Sequence, residues 1–141
     1  NPVFQSFLAK TSSLAEPIEQ SLNMKLINGG NYEPENNQVY TIYRMEVNDA
    51  ASYAKAYAKV TKAQEEAGNV GGSYGLRALM GGSVGYYTHY AYTSAGSFED
   101  AMKSAEILYS SDSFAEFSNE VEGNRKIKNI SIISTIKTYN N

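Results

Sequence analysis

The chain has 141 residues, of which 42% are hydrophobic and 19% charged, and its formal net charge at pH 7 is −3. It contains no cysteine, which excludes disulfides, thiolate metal sites and cysteine nucleophiles. The small negative charge gives no field that favours nucleic acid, and no apolar run approaches the roughly 20 residues of a membrane span, so neither partner is expected.

The first 38 residues predict an N-terminal extension rather than part of the main pattern. A helix containing Phe4 and Phe7 is followed by a strand over 21–27, and 28–38 is a polar, turn-forming linker. The chain begins Asn1-Pro2, which fits removal of a signal peptide, proteolysis or a start inside a longer protein. Abundant Tyr, Asn and Ser with modest Lys and Arg tilt the expectation toward an exported protein.

This extension also resembles the end of the chain. Phe4 and Phe7 have the spacing of Phe114 and Phe117, and the same offset places 21–27 on 131–137. One interpretation is that the extension is the last helix and strand of a preceding, related unit in a tandem. The alternative is chance similarity between two helix–strand pairs. In either case the piece must dock on its own domain or on another chain, because a lone helix and strand cannot bury their apolar faces.

The main pattern begins with an alternating strand over 39–47, where Val39, Thr41, Tyr43, Met45 and Val47 share one face. Asn48 or Asp49 can cap the helix that follows over 50–68, and Gly68 suits its C-terminal end.

Two further strands are predicted over 73–80 and 83–94, close enough to form an antiparallel hairpin. Ser97 then starts a helix, which a Ser/Asp break at 110–112 separates from a second short helix that Asp112 can cap. The last strand is predicted over 127–139, where β-branched residues are dense. The basic residues Arg125, Lys126 and Lys128 are expected in a solvated connection.

The order of elements from Val39 onward is β-α-β-β-α-β, which predicts an α+β, ferredoxin-like domain over 39–141. In that arrangement a four-stranded antiparallel sheet carries helices on one face. The extra N-terminal helix and strand, with their linker, form a separate segment over 1–38.

The element order and the segment "AEILYSSDSFAEFSNEVEG" resemble the dimeric α/β-barrel superfamily over about residues 39–139. Members typically pair two sheets, from two chains or from tandem domains, into a barrel. The superfamily includes cofactor-independent monooxygenases, lactone isomerases, haem-dependent enzymes and stress-induced proteins, so the resemblance selects no reaction. It implies self-association, as a homodimer or a higher oligomer, through one face of the sheet.

His89, the only histidine, is the first candidate for a catalytic role. Alternation along the strand puts it with Tyr87, and the expected topology brings Arg44 and Glu46 onto the same face. Arg77 could join them if its register agrees. Such a set would suit an anionic or phenolic ligand, with Arg holding the anion and His or Tyr exchanging a proton. The alternative is a polar sheet surface stabilised by cross-strand pairs.

The tyrosines predict a second possible site, between the sheet and the helices. A pocket lined by phenols would take a flat aromatic ligand; the alternative is core packing, in which every buried hydroxyl needs a partner. The predicted ligand-binding residues are Tyr43, Tyr57, Tyr74, Tyr90 and Arg77, and the predicted catalytic residues are His89, Arg44 and Tyr87. A single histidine without a carboxylate cluster predicts no metal site, and no cofactor is expected.

Three functions remain open at this point. The first is a small self-associating domain that binds a small aromatic or hydrophobic ligand, with catalysis not assured. The second is a cofactor-independent monooxygenase or isomerase that uses Tyr, His89 and Arg side chains. The third is a structural subunit of a larger assembly, in which residues 1–38 bridge chains.

Overall fold

A computed structural model describes residues 1–12, 14, 19–82 and 86–136, which form an α+β fold. Within these ranges four helices and five strands follow one another in the chain. They are α1 (Pro2–Ser12), β1 (Ser21–Gly30), β2 (Val39–Val47), α2 (Ala50–Glu66), β3 (Ser73–Gly82), β4 (His89–Ala95), α3 (Phe98–Tyr109), α4 (Asp112–Glu120) and β5 (Arg125–Ser134), with a 3₁₀ turn at Pro34–Asn36. None of the helices in the described ranges is long and apolar enough to cross a membrane.

The strands form one antiparallel sheet in the order β1-β3-β4-β2-β5. From β2 to β5 the element order and the strand order follow the ferredoxin-like pattern, as predicted. The prediction of four strands is wrong, however, because β1 pairs with β3 from Ser21–Gly82 to Gly30–Ser73 and adds a fifth strand. A free edge of β3 offers unpaired N–H and C=O groups, and β1 satisfies them.

Helix boundaries follow the capping residues closely. Asp49 caps α2, its carboxylate accepting hydrogen bonds of 3.1 Å from the amides of Ala51 and Ser52, and Gly68 follows the helix with φ of +72°. Ser97 caps α3 as predicted. The predicted cap of α4 is wrong by one residue, because the Ser111 hydroxyl, not Asp112, accepts from the first-turn amide of Phe114.

Three predicted boundaries differ from the structure. The linker begins later than predicted, because β1 continues to Gly30. The strand predicted over 83–94 begins at His89, and residues 83–85 of that prediction lie outside the described residues. The last strand runs from Arg125 to Ser134, so Arg125 belongs to a strand, and the predicted residues 137–139 lie outside the described residues.

The core lies on the helix-covered face of the sheet. Met45, Leu76, Tyr53 and Val121 are the least exposed large side chains, and α2 and α4 pack against this face. The extension contributes as well, because Leu26 and Ile27 of β1 pack against the same cluster. Leu26 is the extra residue of a bulge, since Lys25 pairs with Arg77 and Ile27 already pairs with Leu76.

The buried amide of Asn37 fastens the linker to the sheet. Its Nδ2 donates to the carbonyl of Glu33 at 2.6 Å, and its Oδ1 accepts from the Ser73 hydroxyl at 2.6 Å. The hydroxyl of Ser94, on β4, also donates to this Oδ1. Because Asn37 is only 5% exposed, the loss of this amide leaves several buried groups without partners.

We expect Asn37→Ala to lower the free energy of unfolding by about 2–3 kcal/mol, because buried polar groups left unpaired cost about 1–3 kcal/mol each. Urea unfolding followed by circular dichroism measures the change. Asn36→Ala is the control: the Asn36 side chain makes no hydrogen bond within the described residues, and a loss below about 0.5 kcal/mol is expected. Equal losses in the two variants would contradict this role of Asn37.

Candidate functional site

A cavity of about 230 Å³ lies between the helix-covered face of the sheet and the helices α2, α3 and α4. Residues of β2 and β4 form its floor, and the three helices form its walls. The lining side chains are mostly apolar or aromatic and include Thr41, Tyr43, Met45, Tyr53, Tyr57, Val60, Tyr74, Ala91, Ala105, Leu108, Tyr109, Phe114 and Phe117.

The aromatic rings of this cavity pack against one another. The rings of Tyr53 and Tyr57 meet Phe117 edge-on, with centroids 5.9 and 6.5 Å apart, and Tyr57 meets Tyr74 at 6.4 Å. These distances are typical of favourable edge-to-face pairs. Phe114 extends the cluster toward α3 through the ring of Tyr109, at 4.9 Å.

The phenol hydroxyls in the cavity have partners. Tyr57 donates to the carbonyl of Gly75 at 3.2 Å, and Tyr43 and Tyr109 share a hydrogen bond of 2.9 Å. Tyr53 accepts from Arg125 at 3.4 Å. Burial raises the pKa of Tyr43 and of Tyr57, so both phenols stay protonated at neutral pH. They therefore act as neutral hydrogen-bonding groups, not as bases.

A second concavity, of about 320 Å³, lies on the open face of the sheet. Arg77 lines it, with its guanidinium carbon 5.2 Å from the ring centroid of Tyr92. Tyr40 and Tyr90 also line it, together with residues of β1 and the linker. The predicted ligand-binding residues are thus divided: Tyr43, Tyr57 and Tyr74 line the helix-side cavity, and Tyr90 and Arg77 lie on the opposite face.

The expected grouping of His89 with Arg44 and Glu46 is wrong. His89 pairs with Met45 and with Ala78, and directly paired residues share a face, so His89 points to the helix-covered side. Arg44 pairs with Tyr90 and points to the open side. Arg44 lies instead near Glu19, at 4.0 Å, and donates to Asn129 and Ser131.

Tyr87 belongs with Arg44 rather than with His89. Its buried ring centroid lies 5.8 Å from the Arg44 guanidinium carbon, and Tyr86 packs edge-on against it. Strand β4 begins only at His89, so alternation along a strand does not extend back to Tyr87. The catalytic roles of His89, Arg44 and Tyr87 stay predictions, and the three do not form one cluster.

His89 is buried, and it is not among the residues that line the helix-side cavity. Its Nδ1 lies 2.9 Å from the Thr88 hydroxyl, and its Nε2 has no hydrogen-bond partner within the part of the chain that the structure describes. Burial lowers the pKa of His89, because desolvation disfavours the charged imidazolium. The folded protein therefore favours the neutral form of this side chain.

Most lining residues were not among the predicted site residues, and three of those missed bring long polar side chains to the cavity. Tyr109 reaches Tyr43 across the cavity, and Gln64, buried in α2, donates to the hydroxyls of Ser111 and Ser113. Arg125, expected in a solvated connection, is half-buried with its guanidinium carbon 4.9 Å from the Phe117 ring centroid. For Tyr109 a signal was available in the sequence: it lies on α3 close to Ala105 and Leu108, which belong to the predicted apolar stripe of that helix.

Metal ligands are not grouped in this region. No three His, Asp or Glu side chains are placed to hold a metal ion in residues 1–12, 14, 19–82 and 86–136.

Comparison with known proteins gives matches to solved structures alone. No protein-family model matches the sequence, and no curated protein matches it. The structure of a major regulator of staphylococcal pathogenesis matches with a TM-score of 0.54 and 16% identity, over 87% of this chain and 74% of that one. At this identity the similarity concerns the fold alone.

A second match is a crystal structure of a candidate monooxygenase from Lactobacillus acidophilus NCFM. Its TM-score is 0.49 and its identity 13%, over 69% of this chain. This chain spans 43% of the length of that protein.

The buried His89 makes stability depend on pH. Because its pKa is lowered in the folded state, the unfolded chain binds a proton more readily, and stability is lost as pH falls below the ordinary histidine value of about 6.5. We expect His89→Asn to remove this contribution, so that urea midpoints of the variant fall less than those of the parent chain between pH 7.5 and 5.5. If the urea midpoints of the variant and of the parent chain fall equally with pH, His89 is not the source of this pH dependence.

Proposed function

We propose that this chain is a small-molecule-binding domain of the dimeric α/β-barrel type, whose helix-side cavity takes a small aromatic or hydrophobic ligand. The observation that carries the proposal is the cavity itself: about 230 Å³ of space lined by aromatic rings and aliphatic side chains. Ligand pockets are typically concave, mostly apolar and equipped with a few polar groups.

The size of the cavity favours a compact ligand. Pockets for drug-sized molecules measure about 300–1,000 Å³, so a cavity of about 230 Å³ suits a molecule of one or two rings. The wall aromatics, Phe117 and Tyr57 among them, offer ring faces and edges for stacking. Arg125 is the one charged side chain among the lining residues of the described chain, and its guanidinium lies against the Phe117 ring.

Polar groups near the cavity can orient such a ligand. The Tyr43–Tyr109 pair has hydroxyls that can each still donate or accept another hydrogen bond. Neutral phenols suit a ligand that carries a hydroxyl or a carbonyl group. The proposal stops at binding, because the raised pKa values of Tyr43 and Tyr57 disfavour proton abstraction, and His89 is not a lining residue.

Self-association through the open face of the sheet forms part of the same proposal. It rests on the resemblance to the dimeric α/β-barrel superfamily, whose members typically pair two sheets. Half-buried Ile42 and exposed Ile133 are on that face, opposite to the one covered by α2, α3 and α4. A second copy would cover these apolar groups. Native mass spectrometry of the full chain measures the number of copies in the assembly.

Indole is a suitable probe for the helix-side cavity, because the chain contains no tryptophan and the probe's fluorescence is read without that background. We expect saturable binding of indole to the parent chain. Ala105→Phe places a ring in the cavity from α3 and should weaken binding by tenfold or more.

Ala58→Phe is the matched control, because Ala58 is also helical but exposed on α2 and not a lining residue. Its affinity for indole should equal that of the parent chain. The proposal is contradicted if the parent chain does not bind indole, or if the two variants lose the same amount of affinity for indole.

A further inference from the structure

Arg77 carries a positive charge that lacks a counter-ion. Both of its terminal nitrogens are hydrogen-bonded: Nη1 to the carbonyls of Ile27 and Leu76, at 2.9 and 3.2 Å, and Nη2 to Asn28 Oδ1 and the Tyr92 hydroxyl, at 3.0 and 3.2 Å. All four acceptors are uncharged. Arg77 forms no ion pair with any carboxylate of the described residues.

The position of the guanidinium is fixed before any ligand arrives. Tyr92 donates to the same Asn28 Oδ1 at 2.8 Å and supports the guanidinium through its ring, so Arg77 is held from β1 and from β4. Gly75 makes this possible: a Cβ there would lie 2.6 Å from Tyr92 Cε1 and 2.8 Å from Arg77 Nη1. A fixed cation loses little conformational freedom on binding, which favours affinity.

The remaining donor of Arg77 is Nε–H, which has no hydrogen bond within the described part of the chain. Nε and Nη2 form one edge of the guanidinium, and that edge matches the two oxygens of a carboxylate. The concavity around it, about 320 Å³, is lined by the tyrosines Tyr32, Tyr40, Tyr90 and Tyr92. Lys25, opposite Arg77 in the register, adds positive charge on this face.

We propose that this concavity is an anion site for a small aromatic carboxylate, with the carboxylate on the Nε/Nη2 edge of Arg77 and the ring against the tyrosines. The carboxylate displaces one uncharged partner of Nη2 and supplies the missing negative charge. One guanidinium surrounded by tyrosine rings suits a planar monoanion better than a phosphate, for which several donors usually converge. This site lies on the opposite face from the helix-side cavity and does not rest on the ligand proposed for that cavity. It shares the open face with the proposed contact between copies, but Arg77 is on β3 and Ile133 is on β5, toward opposite edges of the sheet.

Benzoate is the probe, with benzamide as its uncharged analogue. We follow the Arg77 Nε–H resonance by NMR, with Arg44 and Arg125 as internal references in the same spectrum. Benzoate should shift the Arg77 resonance saturably, benzamide should leave it in place, and added salt should weaken binding.

Arg77→Gln should reduce benzoate affinity by tenfold or more. Arg44→Gln is the matched control, because Arg44 is the other arginine of the open face but already lies near Glu19 and donates to Asn129 and Ser131. Arg77→Lys keeps the positive charge but loses the paired Nε and Nη2 donors. It should therefore bind benzoate more weakly than the parent chain while folding is retained. Thermal unfolding of each variant checks the fold.

Two results would overturn the proposal. One is benzoate binding that is absent, or equally strong in Arg77→Gln and in the parent chain. The other is an Arg77 resonance that shifts when the protein concentration is raised without benzoate, together with loss of benzoate binding in the dimer. That result would mean that a carboxylate of a second copy occupies the site. Loss of indole binding in Ala105→Phe with benzoate binding unchanged separates this site from the helix-side cavity.

Discussion

The register between β2 and β4 is the constraint on which the arrangement of chemical groups depends. Met45 opposite His89 and Tyr43 opposite Ala91 place these four side chains on the helix-covered face. The alternate pairs, Arg44 with Tyr90 and Ile42 with Tyr92, face the other way. A shift of one residue would exchange the faces of an entire strand, which would bury an arginine among the helices. Burial of Met45, Leu76 and Ala91 therefore fixes which face the polar groups of β2, β3 and β4 occupy.

The two faces consequently have different chemistry. On the helix-covered face, burial keeps the phenols of Tyr43 and Tyr57 protonated, so that surface offers apolar area and neutral hydrogen bonds. On the open face, the Arg77 guanidinium donates to uncharged oxygens of Ile27 and Asn28. The neutral aromatic ligand and the aromatic carboxylate that we propose therefore belong to different faces of one sheet. The composition alone, rich in tyrosine with few arginines, does not separate these two environments.

The N-terminal extension shapes the open-face site as well as the sheet. Strand β1 supplies the carbonyl of Ile27 and the amide of Asn28 that hold the Arg77 guanidinium. The bulge at Leu26 changes the register between Lys25 and Ile27, so that Ile27 faces the core and Asn28 still reaches Arg77 and Tyr92. The Asn37 network then fastens the following linker to Ser73 and to Ser94, beside both cavities. A segment outside the ferredoxin-like pattern thus completes the proposed anion site.

The sequence by itself determined the local elements: the alternation of Val39–Val47, the Asp49 and Ser97 caps, and the β-α-β-β-α-β order follow from steric and hydrogen-bonding preferences within a few residues. Periodicity also placed Tyr43, Tyr57 and Tyr74 between the sheet and the helices, but it placed Tyr90 there as well, and Tyr90 lies on the open face. Only the tertiary structure decided that β1 joins the sheet, that Arg125 reaches the cavity, and that His89 and Arg44 lie on opposite faces. These outcomes depend on the register between distant strands, which is set by the burial of whole faces at once and leaves no local signal in the chain.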